Sequence, residues 1–397
     1  MRASASTLLL VSSCLFGCGV TPRVDTAAAI ADGLTTVEVG PEDRTRLELA
    51  VGRAMAAAAQ RRFDDACHWA AEALTIDPRS ARARAVQGLA LVEAAAKFDP
   101  PDLHGVRQAE LELAIAMRLA PNDPFVGLMH ALFLAEIGHT SAAAEAAEAA
   151  LRNASSGSTA ERAALLGLAG RYRYELGEER AALPLLQEYV ALRPEDRQAR
   201  YQLGCTLLRL AAFPRDERPA SLTDAMRKAE AATEAFERCH EQDPADLEAA
   251  LAASEARWRA ADLADRVANG VREEGERQVL RTSAAAHRQA SRETLARLEA
   301  GFPNAPEPSF RLAVLADRAG EAADAIAAYE RALQRDAEHV DSLLNLAVLC
   351  ADTDVPRATA LLRRALAIAD ASRSPSDAEK KRIEAWLDEV AADTGGR

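Results

Sequence analysis

Residues 313–332 read Ala313-Val-Leu-Ala-Asp-Arg-Ala-Gly320-Glu-Ala-Ala-Asp-Ala325-Ile-Ala-Ala-Tyr-Glu-Arg-Ala332, and the positions of the small residues decide the fold. A small residue stands seven before Gly320, another five after it, and a third seven further on. Two helices joined at a glycine approach closely only where small side chains face one another. The glycine itself takes the left-handed conformation that ends the first helix. The same spacing recurs at Ala131–Gly138–Ala143–Ala150 and at Gly170–Gly177–Ala182–Tyr189, where Tyr189 is a departure.

Working outward, proline closes the second helix of several copies, twelve residues after its first small position. The series are Ala66–Ala73–Pro78, Ala109–Ala116–Pro121, Ala182–Tyr189–Pro194 and Ala232–Cys239–Pro244. Proline cannot continue a helix, so it fixes the stop. The local forms Leu74-Thr-Ile-Asp-Pro78, Arg118-Leu-Ala-Pro121 and Leu192-Arg-Pro194 resemble the end of a tetratricopeptide repeat, with Ala337 standing where one copy expects proline. The resemblance covers about residues 42–372 and implies an all-α fold: a right-handed superhelical solenoid of about eight helix-turn-helix repeats with a C-terminal capping helix. Copies are expected to begin near residues 47, 81, 124, 163, 197, 247, 306 and 340.

Composition agrees. Hydrophobic residues make up 49% of the 397, yet aromatics only 4%. Alanine and leucine supply the apolar surface, which suits closely packed helices better than a sheet. Four departures from the period carry information. Lys97–Gly105, with Asp99-Pro100-Pro101, is an insertion inside copy two, and Asn153–Thr159 a polar loop. Ala211–Leu222, with Pro214 and Pro219, lengthens a turn. Copy six predicts two long helices, at 246–267 and 272–300, meeting at Asn269-Gly270 and projecting about 18 Å beyond their neighbours. Ser376-Asp-Ala-Glu379 is a capping box. It opens a last helix with Ile383, Trp386, Leu387 and Val390 on one face, the cap that an array needs at residues 373–397.

Residues 1–17 have the layout of an export signal: Arg2, an apolar stretch around Leu8-Leu9-Leu10-Val11, and a small residue before a cysteine. Leu15-Phe16-Gly17-Cys18 resembles the lipobox of bacterial lipoproteins, apart from Phe16 where a small residue is usual. The resemblance implies lipidation at Cys18 and, with Gly19 rather than aspartate following, an outer-membrane address facing the periplasm. Val11-Ser12-Ser13-Cys14 is an alternative, but cleavage there leaves an apolar region of about four residues against the roughly 7–15 expected. Residues 18–41, punctuated by Thr21-Pro22, Asp32-Gly33 and Gly40-Pro41, read as a flexible tether.

Chemistry-bearing motifs are missing. The seven histidines show no HExxH spacing, and the chain has no CxxC, phosphate loop or GxSxG. Cys67-His68 and Cys239-His240 are neighbours on helices, about 100° apart, so neither pair makes a metal site alone. No catalysis, cofactor or metal is expected. Cys205 and Cys239 fall on the two helices of one repeat, at inward positions, where buried thiols acting as small hydrophobes are expected over a disulfide. The net charge of −13, and the absence of a basic stripe, argue against nucleic acid.

A partner protein remains. In the tetratricopeptide family the first helix of each repeat lines a concave face. Carried over position by position, the resemblance implies contact residues Phe125 and Met129 in copy three, Arg171 and Tyr174 in copy four, and Tyr201, Gln202 and Arg209 in copy five. It adds Trp258, Arg311 and Asn345 in the last three copies. Aromatics and arginines dominate interface energetics. The family's lysine–asparagine clamp for C-terminal carboxylates is not recognisable. The expected function is a lipid-anchored periplasmic scaffold binding a protein segment of the cell envelope. The alternative is a self-associating spacer, a homo-oligomer built through the long hairpin and its Ala284-Ala-Ala286 run; an enzyme with its site in the inserted loops is the least favoured reading.

Overall fold

The computed structural model describes residues 23–34, 36–98, 102–154, 157–214, 216–351, 353–371 and 380–387. The regular structure among them is helical, and packing divides the chain into two units, Met1–Thr206 and Leu207–Arg397. The signal segment, Cys18 and the capping box at 376–379 lie outside the described residues.

In the first unit, helix α1 spans Arg23–Gly33. Four hairpins follow: α2 (Pro41–Ala59) with α3 (Phe63–Ile76), α4 (Ala81–Ala95) with α5 (Leu103–Leu119), α6 (Pro124–Glu136) with α7 (Thr140–Asn153), and α8 (Thr159–Glu175) with α9 (Glu179–Leu192). First helices stack on first helices, α2 on α4, α4 on α6 and α6 on α8, so each hairpin presents the same edge to the next. Helix α10 (Arg197–Ala212) contains the boundary between the units.

The second unit continues with α11 (Pro219–Gln242). Then come the long hairpin α12 (Leu247–Gly270) with α13 (Glu274–Gly301), then α14 (Glu307–Arg318) with α15 (Ala322–Arg335), and α16 (Val340–Cys350) with α17 (Val355–Ala371). Helical residues 380–387 close the described chain, with Ile383 fully buried beside Leu343 and Leu362 and with Trp386 and Leu387 packed on the same cluster. That is the covering of a terminal apolar surface that such an array requires.

The sequence signals act as expected. Gly138, Gly177 and Gly320 have φ of 81°, 71° and 76°, the left-handed region that ends a first helix. Ala131, Ala143, Ala182, Ala313, Ala325 and Ala332 are all 0% exposed, so the helices of each hairpin meet along alanine seams. Helices α3, α5, α9 and α11 each end two residues before their proline. Helix α15 stops in the same way without one. Its C-cap Asp336 is extended (φ −133°, ψ 102°), like Asp77 (φ −135°, ψ 101°) at the end of α3. In both, the aspartate carboxylate accepts a backbone N–H two residues on, from Glu338 (2.9 Å) and Arg79 (2.8 Å). The aspartate turn therefore supplies the stop that Ala337 cannot.

Two boundaries differ. Copy one starts at Pro41 rather than 47, because Gly40-Pro41 opens the helix with proline in its first turn instead of ending a spacer. Residues 18–41, expected to be an irregular tether, include α1. Ala27 (3% exposed) and Ala31 (1%) bury against Ile115 of α5, Arg79 donates to the Leu34 carbonyl (3.0 Å), and Arg118 lies 3.7 Å from Asp32. Helix α1 has eleven residues and little amphipathic pattern, so it owes its stability to docking rather than to a signal visible in the sequence.

Candidate partner-binding site

Phe125, Met129 and Gln202 are not surface contacts. Phe125 (6% exposed) and Met129 (5%) belong to the core of the first unit, with Val126 and Phe133, and Gln202 is 8% exposed. The reason lies in α6, Pro-Phe-Val-Gly-Leu-Met-His-Ala-Leu-Phe-Leu-Ala-Glu, which is apolar on every side. Such a helix is enclosed by its neighbours, here α4 and α8 besides α7. The Arg82 guanidinium sits 5.4 Å from the Phe125 ring and is itself held by Asp123 (2.7 Å) and Glu161 (3.1 Å).

The other expected positions divide. Arg171 is exposed on α8; it lies against the Tyr172 ring (4.7 Å), donates to the Tyr172 hydroxyl (2.9 Å) and approaches Glu175 (3.8 Å). Tyr174 and Tyr201 are half-buried, and Arg209 is exposed. Arg311 of α14 is a strut, bonded to Glu255 of α12 at 2.5 Å, which joins two first helices. Asn345 is half-buried on α16, near Tyr329, whose phenol burial pushes up to about 12.

Trp258 is where the structure gathers something. One side of its indole packs on Leu251, Leu295 and Leu315, in the core between α12, α13 and α14. The guanidinium of Arg318, in the last turn of α14, lies 3.9 Å above the ring, and that of Arg259 lies 5.7 Å away. Beside them is a cavity of about 130 Å³ lined by Trp258, Asp262, Arg288, Arg292, Leu315, Arg318 and Ala319. Helix α13 supplies Arg288 and Arg292 from one face, four residues apart. Arg292 pairs with Glu321 (2.6 Å) and Arg288 with Asp265. Of this set only Trp258 is among the contact positions expected from the repeat register. The i, i+4 spacing of Arg288 and Arg292 was visible, but Arg318 is sixty positions from Trp258 and only the fold brings it near.

The first unit has its own, larger hollow of about 470 Å³, floored by Leu47, Val51 and Met55 of α2 and walled by Ala81, Arg82 and Asp123. It too lies along the first helices. Among the described residues no three His, Cys, Asp or Glu side chains come together as a metal site, and no helix is long and apolar enough to cross a membrane. Cys239 is buried, Cys205 is half-buried, and burial pushes the thiols of Cys67 and Cys350 up.

No family model matches the chain, and no curated protein matches it in sequence. Solved structures similar to it include a tetratricopeptide repeat protein of Parabacteroides merdae, 16% identical with a TM-score of 0.42, over 77% of this chain and 99% of that one. Pseudomonas aeruginosa pilF is similar at 14% identity and a TM-score of 0.39, over 67% of this chain and 96% of its own. A thermophilic repeat protein of Thermus thermophilus is 18% identical with a TM-score of 0.37, over 59% and 100%. The class follows from the hairpins themselves: antiparallel helix pairs with alanine seams, three of them hinged at a left-handed glycine and those of the first unit stacked through their first helices, are structural repeats of one kind. This chain is an all-α array of them.

Proposed function

We propose that the chain is a lipid-anchored scaffold of a bacterial cell envelope, holding a partner protein against the first-helix face of its second unit. The observation that carries this is the Trp258 cavity. In an array whose hairpins otherwise close on alanine, it is a hollow with an aromatic floor and arginine walls, the residue types that anchor interfaces. Its volume is below the about 300–1,000 Å³ of small-molecule sites, so it suits one protruding side chain.

The anchor is read from Leu15-Phe16-Gly17-Cys18, and the periplasmic face of the outer membrane from Gly19. Helix α1 changes what the anchor does. Arg23 is five residues after Cys18, at most about 18 Å of chain. An acylated Cys18 therefore holds α1, and the α5 helix it packs on, close to the bilayer instead of letting the body stand off on a long tether.

Two experiments test this. Metabolic labelling with an alkyne fatty acid should mark the protein, and Cys18→Ser should lose the label and leave the membrane fraction; retained label would remove the anchor. Tagged full-length protein solubilised from its native envelope should co-purify with an envelope protein that is lost from Trp258→Ala. The same partners on both would place the binding elsewhere.

One observation favours a second reading, self-association. The alanine run on α13 is split: Ala284 is buried on Ala261 and Ala264, while Ala285, Ala286 and Val279 (68% exposed) face outward. Light scattering separates the readings: a dimer that Val279→Glu dissolves supports the spacer, and a monomer in both proteins removes it.

A further inference from the structure

We propose that the Trp258 cavity is a receptor for a carboxylate, presented by an aspartate or glutamate side chain of the partner, with Arg318 as the group that grips it. This deepens the scaffold reading and rests on it. Arg288 and Arg292, in the cavity wall, each have an acid, Asp265 and Glu321. Arg318 has none among the described residues, and no hydrogen-bond acceptor there either.

Its position is nevertheless constrained by the indole. Its guanidinium carbon lies 3.9 Å from the centre of the Trp258 ring, a cation–π contact that restrains the head group. A planar fork of donors, held in place and lacking an acceptor, matches a carboxylate in two parallel hydrogen bonds. The stacking also removes water from one face of the cation, which strengthens a charge-assisted bond made at its edge.

The surrounding charge has the right sign. Arg259, 5.7 Å from the centre of the indole, has a buried Nε without a hydrogen-bond partner among the described residues. The one acid in the wall, Asp262, is 3.7 Å from Arg266 and so is partly neutralised. With Arg288 and Arg292 offset by Asp265 and Glu321, Arg318 and Arg259 remain against the partly neutralised Asp262, although the chain as a whole carries −13. A local positive site on an acidic protein is selective: long-range repulsion disfavours polyanions such as nucleic acid, while a single acid on a protein segment reaches it. The volume of about 130 Å³ accepts a side-chain head and excludes a nucleotide.

The test uses full-length protein in detergent micelles and a phage-displayed library of random dodecapeptides. Peptides selected on the native protein should carry an aspartate or glutamate whose change to asparagine or glutamine weakens binding at least about tenfold. Arg318→Gln should weaken the same peptides by a similar factor. Arg318→Lys, which keeps the charge and loses the fork, should fall between. Arg318 is exposed, so these variants keep the fold, and a thermal melt checks that they do. Selected peptides without an essential acid, binding indifferent to Arg318→Gln, or no selected peptide at all would each overturn the proposal. If these occur while Trp258→Ala still loses an envelope protein in co-purification, only the carboxylate chemistry falls. If that loss is also absent, the scaffold reading falls with it.

Discussion

An ideal Cβ placed on Gly127 would lie 2.4 Å from the Cβ of Ala150, on the facing helix of the same hairpin. Adding that methyl group forces α6 and α7 apart. Gly127→Ala is expected to cost about 1–3 kcal/mol in urea denaturation, and Ala150→Gly in the same chain to recover most of it. Gly320 makes the contrast. Its φ is 76° and nothing would meet an added Cβ within 4 Å, so Gly320→Ala costs about 1–2 kcal/mol through the backbone alone. Trimming a neighbour should not rescue it. Tyr189 shows where sequence reading stops at this scale. It stands where the pattern expects a small residue, and the structure explains the exception: Gly167 faces it, with room for a ring whose Cε2 would be 2.8 Å from a Cβ there. The phenol then donates to Asp196 at 2.8 Å. A compensation between residues of two different helices appears only when their crossing is known.

Between helices, a few polar contacts set how the alanine surfaces register. Ser254 of α12 and Ser291 of α13 are buried and share a hydrogen bond of 2.6 Å, with Ser291 also within 3.1 Å of the Ser254 carbonyl. Ser291→Ala strands a buried hydroxyl and should cost about 1–3 kcal/mol; the double change with Ser254→Ala should cost less than the single one. Glu299 of α13 ties the long hairpin to the next, bonded to Arg331 (3.0 Å), to Arg335 (3.1 Å) and to Ser309. Burial pushes its carboxyl up, but these partners outweigh burial and hold it below the usual range. A depressed carboxylate contributes stability that is present above its unfolded pKa, about 4.3, and lost as pH falls through the folded value. The difference in stability between native protein and Glu299→Gln should therefore be constant near neutral pH and shrink below about pH 4.3. A difference that stays flat on acidification would contradict the assignment. Element order was legible in the sequence because glycine hinges and proline or aspartate stops are local. Helix starts expected at 81, 124, 197, 247 and 340 are the observed ones. The buried serine pair and the Glu299 network link residues 37 and up to 36 positions apart, with no local signature.

Each of the two units has a hollow on its first helices, and the sequence foretold neither as a cavity. Of the positions expected to meet a partner, Trp258 is the one that lines the second unit's hollow. Phe125 and Met129 were misassigned because position within a repeat says which helix edge a residue occupies, not whether the next hairpin covers it. Helix α1 was missed for a related reason: its alanines become meaningful only once α5 is there to receive them. Arg318, at the far end of α14, needed the fold to bring it to Trp258. We propose that the second unit seats a partner protein in this cavity, and position 319 probes its rim. Ala319 lines the cavity and is exposed, so a photoreactive benzoylphenylalanine can replace it in living cells without disturbing Trp258 or Arg318. Irradiation should give one dominant adduct with another envelope protein from position 319 and none from position 279, on the outward face of α13. No adduct at 319, or an adduct at 279 with a second copy of the chain, would contradict the claim.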